Sequence, residues 1–201
     1  AKELIDFDRE WAAMLSAPLK KPGDADGTGV DPADVQRYFV QHGRYTAGTA
    51  TWYRPALLTG DSTHQHLAGG LKIGARFHSA PVVRIGDGKK VQLGEALLAD
   101  GRWRLFAFAG KGDAGAADSP VARFCNELVG SAGSPLRRYT PAGADLDAVF
   151  DVRAVFQQNH HQLPITAMPE LLFPHKGRLG LRDYEKACCA LTTPQEDIYT
   201  L

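Results

Sequence analysis

Trp103-Arg-Leu-Phe-Ala-Phe-Ala109, running straight into Gly110-Lys-Gly-Asp-Ala-Gly115, is the stretch on which the fold turns. Both faces of its first half are largely apolar, and burial on both faces is what a central strand covered by helices requires. Its second half is a glycine turn. Ser119 and Pro120 follow as N-cap and first-turn proline, and Val121, Phe124, Cys125, Leu128 and Val129 form a helical stripe that closes at Gly130.

Working outward, Val149 to Phe156 is a second apolar run that ends at the polar pair Gln157 and Gln158, and it reads as another interior strand. Upstream, Pro81-Val-Val-Arg-Ile85 is a β-branched run ended by the Gly86-Asp87-Gly88 turn, and Val91 to Leu98 reads as a short strand with a helical turn. Downstream, Leu171-Leu-Phe173 and Leu179-Gly-Leu181 flank Pro174-His-Lys-Gly177 as a hairpin, and a short helix from Arg182 to Ala190 is expected to close the domain. Strands alternating with helices and finishing in a hairpin and helix predict a small α/β sandwich of the thioredoxin type.

Before this domain the texture is helical. Leu4, Ile5, Trp11, Ala12, Met14 and Leu15 recur at helical spacing between Lys2 and Ser16, with Phe7 at the edge of the stripe. Residues 17–30, with Pro18, Pro22, Gly23, Gly27 and Gly29, read as a loop. Asp31 and Pro32 open a second helix that carries Val35, Tyr38 and Phe39 and is expected to stop at Gly43. The polar, glycine-containing run 59–70 is read as a boundary, dividing the chain into 1–70 and 71–201.

With 23 basic and 23 acidic residues among 201, the net charge is zero, which argues against nucleic acid or an anionic membrane as partner. The 44% hydrophobic and 23% charged fractions are those of a folded globular chain. No apolar run approaches the roughly 20 residues of a membrane span. Three cysteines, two of them adjacent, do not make a disulfide framework and point to a reduced, cytoplasmic setting. The chain opens on Ala1 inside an amphipathic pattern, and is expected to be a fragment of something longer.

A thioredoxin-type redox catalyst places Cys-x-x-Cys where its central strand hands over to a helix. That handover here, Gly110 to Gly115, has no cysteine. Cys125 falls on an apolar stripe and is expected in the core, while Cys188 and Cys189, placed near a helix end, point to different faces. His64 and His66, and His160 and His161, lack the spacing of a metal site and read as loop histidines. Ser131 and Ser134 read as turn residues, outside any nucleophile elbow. Gly27-Thr-Gly29, Gly86-Asp-Gly88 and Gly110-Lys-Gly112 each fail the dinucleotide pattern. Glu95, Asp100, Glu127, Asp145, Asp147 and Asp151 are expected to scatter over surfaces.

The runs Gly74-Ala-Arg-Phe-His-Ser-Ala-Pro-Val-Val-Arg84, Asp100-Gly-Arg-Trp-Arg-Leu-Phe-Ala-Phe-Ala-Gly110 and Asp151-Val-Arg-Ala-Val-Phe-Gln-Gln158 together resemble the C-terminal domain of phenol hydroxylase-type flavoprotein monooxygenases. Ile5-Asp-Phe-Asp-Arg-Glu-Trp11 is similar to the last helix of their flavin-binding part, and Thr46-Ala-Gly-Thr-Ala-Thr-Trp-Tyr53 to the segment leading out of it. The resemblance implies a thioredoxin-like sandwich without redox cysteines, serving dimerisation, preceded at 1–70 by the helical end of an FAD-binding domain. It implies FAD and NADPH for the full-length enzyme, hydroxylation of a phenolic ring beside its hydroxyl, and packing of the helix from Lys2 to Ser16 on the enzyme's own upstream domains. Catalytic and cofactor-binding residues would then lie upstream of Ala1. None is assigned to a position of this sequence, and no metal site is assigned either.

Overall fold

A computed structural model describes residues 2–20, 29–48, 50–77, 79–193 and 196–199. The chain divides into two compact units, 1–78 and 79–201.

The first unit is built on α1 (Lys2–Ser16) and α2 (Pro32–Thr46). The periodic aromatics of the two helices meet: Trp11 packs on Phe39 at 5.2 Å between ring centroids, and Phe7 lies against Tyr38 and His42 at 5.9 and 5.8 Å. The Tyr38 hydroxyl donates to the Glu10 carboxylate at 2.6 Å. The Asp31 carboxylate accepts from the Ala33 amide at 2.8 Å, as the capping pattern requires. The helix does not stop at Gly43 but runs to Thr46. Gly43 keeps helical dihedrals, and the left-handed residue that ends the helix is Gly48, at φ +72°. The Leu4 side chain and the loop residues Pro22, Gly23 and Gly27 lie outside the described residues.

The second unit holds a five-stranded mixed sheet in the order β2-β1-β7-β4-β3, with β1 Pro81–Arg84, β2 Lys90–Gln92, β3 Trp103–Phe108, β4 Phe150–Phe156 and β7 Ala187–Ala190. Strand β1 pairs antiparallel with both β2 and β7, while β4 runs parallel to β3 and β7. The helices α3 (Pro120–Gly130) and α4 (Pro135–Tyr139) cover one face. Val121, Cys125 and Leu128 of α3, Leu136 of α4, alternate β4 residues Val152, Ala154 and Phe156, and Ala187 and Cys189 of β7 make the core. Ser119 caps α3 as read, its hydroxyl accepting from the Ala122 amide at 3.2 Å. This is the α/β architecture expected from the sequence, with no redox cysteine pair.

Three local expectations are corrected. Trp103–Phe108 is an edge strand, paired only with β4, and Trp103 is 54% exposed. Its apolar second face is used at the edge, where Phe108 meets the Tyr199 ring edge-on at 5.7 Å. The helix expected from Arg182 to Ala190 is instead a piece of hairpin followed by β7. Ala187-Cys-Cys-Ala190 is apolar on both faces and is held between β1 and β4, so sheet pairing overrides local propensity. The hairpin exists but is displaced: its strands are β5 (His175–Lys176) and β6 (Leu181–Arg182), with Gly177 and Gly180 both at positive φ in the turn. Leu171, Leu172 and Phe173 are core residues beneath it, in and after a short 3-10 turn.

Candidate functional site: a buried charge cluster and the groove beside it

The side chains of β4 alternate, so Asp151 and Arg153 point away from the helices while Val152 and Ala154 enter the core. Strand register sets Arg104 of β3 directly against Asp151. Lys186, just before β7, is buried on the same face, and its ammonium contacts the Asp151 carboxylate and reaches Asp147 at 2.5 Å. Lys176 of the hairpin joins Asp147 at 2.8 Å and Asp183 at 2.9 Å. Arg104 lies 3.3 Å from Asp151 and Arg153 2.9 Å from it. Arg102 and Arg104 both hold Asp100, at 2.7 and 2.5 Å. Asp100, Asp147 and Asp151, expected to scatter over surfaces, therefore converge, and Asp147 and Asp151 are 1% and 0% exposed.

Burial drives this arrangement to pair its charges, because an unpaired ion taken from water is costly. Burial pushes the Asp147 carboxyl up, but the ammonium groups of Lys176 and Lys186 outweigh it and hold the group below the usual carboxylate range. Asp183 is depressed in the same way, burial being outweighed by the Glu185 amide and Lys176. Lys176 is raised despite its desolvation, because Asp147 and Asp183 stabilise its charge. Such a cluster holds strands and hairpin in register through paired charges.

Beside the cluster, on the same face of the sheet, lies a groove of about 220 Å³ walled by Val82, Val91, Leu93, Leu98 and Cys188, with Glu95 at its rim. Arg84 at its floor is shared between Asp87 at 2.5 Å and Glu185 at 2.7 Å. The Arg84 guanidinium holds the Asp87 carboxyl at about 2.

The remaining sequence candidates fall elsewhere. Cys125 is fully buried against the core and burial pushes its thiol up to about 12. Cys188 faces the groove and Cys189 the core, on opposite faces of β7, with thiols pushed by burial to about 11 and about 12. His160 and His161 lie 3.9 Å apart between ring centroids, their planes tilted by 37°, in a 3-10 turn capped by Asn159, and His64 and His66 lie 6.4 Å apart. Among the described residues, no group of three or more potential ligands could hold a metal ion. Ser134 is more than a turn residue: its hydroxyl caps α4 by accepting from the Arg137 amide at 3.1 Å and donates to the Leu128 carbonyl at 2.5 Å. Glu127 lies on α3, and the Asp145 carboxylate accepts from the Gly177 amide.

The glycines that invited a nucleotide reading do not form a cradle. A Cβ at Gly86 would lie 2.7 Å from the Tyr184 Cβ, and one at Gly88 would lie 3.3 Å from the His160 imidazole, so these glycines admit the protein's own side chains. Gly110 and Gly112 lie in a turn open to solvent, separated from α3 by the buried Asp113, which accepts from the Gly115 and Val121 amides. Gly27 lies outside the described residues. These residues do not fit a flavin or a nicotinamide nucleotide. Among the described residues no helix is long and apolar enough to cross a membrane.

The mixed sheet, its single helical layer and the cysteine-free handover after β3 belong to a non-redox thioredoxin-like class, and sequence comparison places the chain within it. Residues 51–200 match the family described as phenol hydroxylase, C-terminal dimerisation domain, and the chain belongs to that family. It is 52% identical over 202 aligned positions to a 3-hydroxybenzoate 4-monooxygenase of Comamonas testosteroni, covering the whole chain and 31% of that protein. It is 32% identical over 191 positions to the FAD-dependent monooxygenase terD of Aspergillus terreus, covering 92% of the chain and 30% of that protein. The chain thus spans just under a third of the length of these curated relatives.

Proposed function

We propose that this chain is the C-terminal portion of a cytoplasmic, FAD-dependent aromatic hydroxylase that converts 3-hydroxybenzoate to 3,4-dihydroxybenzoate. In the reaction, NADPH, a proton, dioxygen and the phenol yield the catechol, NADP⁺ and water. The observation that carries this reading is the 52% identity that runs through the entire chain to a relative bearing that activity. Within the enzyme, residues 1–70 are the end of the FAD-binding domain and its linker, and 71–201 the dimerisation domain of a homodimer. The segment's own part is structural, since its charge cluster is paired internally and its Gly86 and Gly88 turn is occupied by Tyr184 and His160. The flavin chemistry belongs to the cofactor and to the residues that position it, and no step is assigned to the residues described above.

The test is the intact mass and visible absorption spectrum of the protein from its native source, followed by substrate-dependent NADPH consumption. A mass well above 21.8 kDa, a flavin spectrum and oxidation of NADPH stimulated by 3-hydroxybenzoate are expected. Stimulation by phenol alone would move the substrate to that of a phenol 2-monooxygenase. A 21.8 kDa protein without chromophore would overturn the enzyme reading in favour of a free-standing thioredoxin-like interaction module.

A further inference from the structure

The β5–β6 hairpin is an arm whose turn and returning strand, Arg178-Leu-Gly-Leu-Arg182, present two leucines to solvent at 78% and 67% exposure. Arg178 and Arg182 have no ion-pair partner among the described residues. The base of the arm is fastened: Lys176 is held by Asp147 and Asp183, the Gly177 amide donates to Asp145 at 2.9 Å, and the Asp183 amide donates to the Pro174 carbonyl at 2.9 Å. A two-stranded hairpin is marginal alone. This one is fixed by its roots and needs little ordering when it binds, which lowers the entropic cost of association.

The groove on the same unit has the complementary character. Its walls are apolar, and the cations at its floor are already satisfied: Arg84 by Asp87 and Glu185, Arg153 by Asp151, and Lys186 by Asp147 and Asp151. Glu95, exposed at the rim, has no ion-pair partner among the described residues. The groove therefore offers apolar walls with one uncompensated negative charge, and the arm offers leucines between two uncompensated positive ones. An isologous dimer needs a self-complementary patch in which arm meets groove and groove meets arm. We propose that the β5–β6 arm of one copy seats in the groove of a second copy, and reciprocally, with Leu179 and Leu181 against the apolar walls and Arg182 facing Glu95. This rests on the homodimer reading above and names the surface that reading leaves open.

Sedimentation equilibrium of the full chain tests it. Arg182→Glu and Glu95→Arg are each expected to weaken the dimer about tenfold or more, and the two together to restore it, because a charge pair across an interface is exchanged and not lost. Both positions are exposed, and an unchanged far-ultraviolet circular dichroism spectrum controls for folding. As a second measurement, chains carrying only Leu179→Cys are mixed with chains carrying only Leu98→Cys. A disulfide-linked heterodimer is expected on mixing and not in either variant alone. A dimer indifferent to both charge reversals, or a mixture that forms no cross-link, overturns the arm-in-groove contact and leaves the homodimer reading standing. A wild-type chain that stays monomeric overturns both.

Discussion

Asp151 accepts from Lys186 and Arg153 and lies beside Arg104, all with little or no solvent. Replacing it by Asn would leave these cations facing a neutral group inside the protein, and breaking a buried pair from one side costs about 3–5 kcal/mol. Asp151→Asn is therefore expected to lower the urea unfolding free energy by that order, whereas Arg37→Ala, at an exposed ion pair of α2, costs under about 1 kcal/mol. Equal losses at the two sites would contradict the account. The pH dependence follows from the same groups. Asp147 and Asp183 are depressed in the fold, so the folded chain binds fewer protons in acid than the unfolded chain does. Their stabilisation is complete above the unfolded carboxylate value of about 4 and is lost as pH falls through the lower folded values. Lys176 is raised, so its contribution is complete below about 10.4 and is lost as pH climbs through its folded value. Chemical denaturation across pH should be flat from about 4 to about 8.5, above which unfolded cysteines ionise while the buried thiols of Cys125, Cys188 and Cys189 do not, and a decline already beginning at pH 6 would refute the assignment. The cluster was only half legible in the sequence. Asp151 and Arg153 two apart, opposite Arg102 and Arg104 two apart, is a period-two charge pattern that marks one sheet face. Lys186 and Asp147 come from distant loops, and only the pairing of β4 with β7 brings them together.

At the scale of elements, capping was read where the cap stood before a long apolar stripe and missed where it did not. Ser119 opens the eleven-residue α3, whose stripe announces it. Ser134 opens the five-residue α4, too short to show a period, so from sequence it reads as a turn residue. Yet Ser134 makes two hydrogen bonds while buried, to the Arg137 amide and the Leu128 carbonyl, and so ties α4 to the end of α3. Ser134→Ala removes a cap and leaves a buried carbonyl unpaired, and is expected to cost about 2 kcal/mol, against about 1 kcal/mol for Ser119→Ala. Thermal denaturation of the two variants checks the order, and the reverse order would show that α4 is not stabilised through its cap. The misreading of β7 has a related cause. A four-residue strand of alanine and cysteine has neither alternation nor helical period. Its identity comes from neighbours on both sides, which no local pattern reports.

At the scale of the molecule, the two units differ in what they bury. Among the described residues of 1–78 none reaches the buried state, whereas the second unit has a continuous core from Ile85 to Cys189. The α1–α2 pair covers its aromatics internally, with Trp11 and Tyr38 half-shielded, but leaves Ile5, Leu15, Phe39 and Val40 exposed at 65%, 63%, 53% and 57%. Helices of fifteen residues are marginal without a packed face, since propagation barely repays nucleation in water. The periodic stripe from Lys2 to Ser16 was plain in the sequence, and so was its demand for a covering surface. What could not be read was that α2 shields only part of it. Residues 79–201 made alone are accordingly expected to unfold cooperatively near the melting temperature of the whole chain, while residues 1–78 made alone show no cooperative transition. The whole chain is expected to self-associate through the uncovered stripe in addition to any arm-and-groove contact, and removing residues 1–16 should abolish that component alone. Differential scanning calorimetry of the two pieces, with sedimentation of the truncated chain, separates the possibilities. A sharp transition in 1–78 would mean that the helical unit stabilises itself, and would withdraw the support its exposed face lends to the proposal that it packs on the flavin-binding part of a longer enzyme.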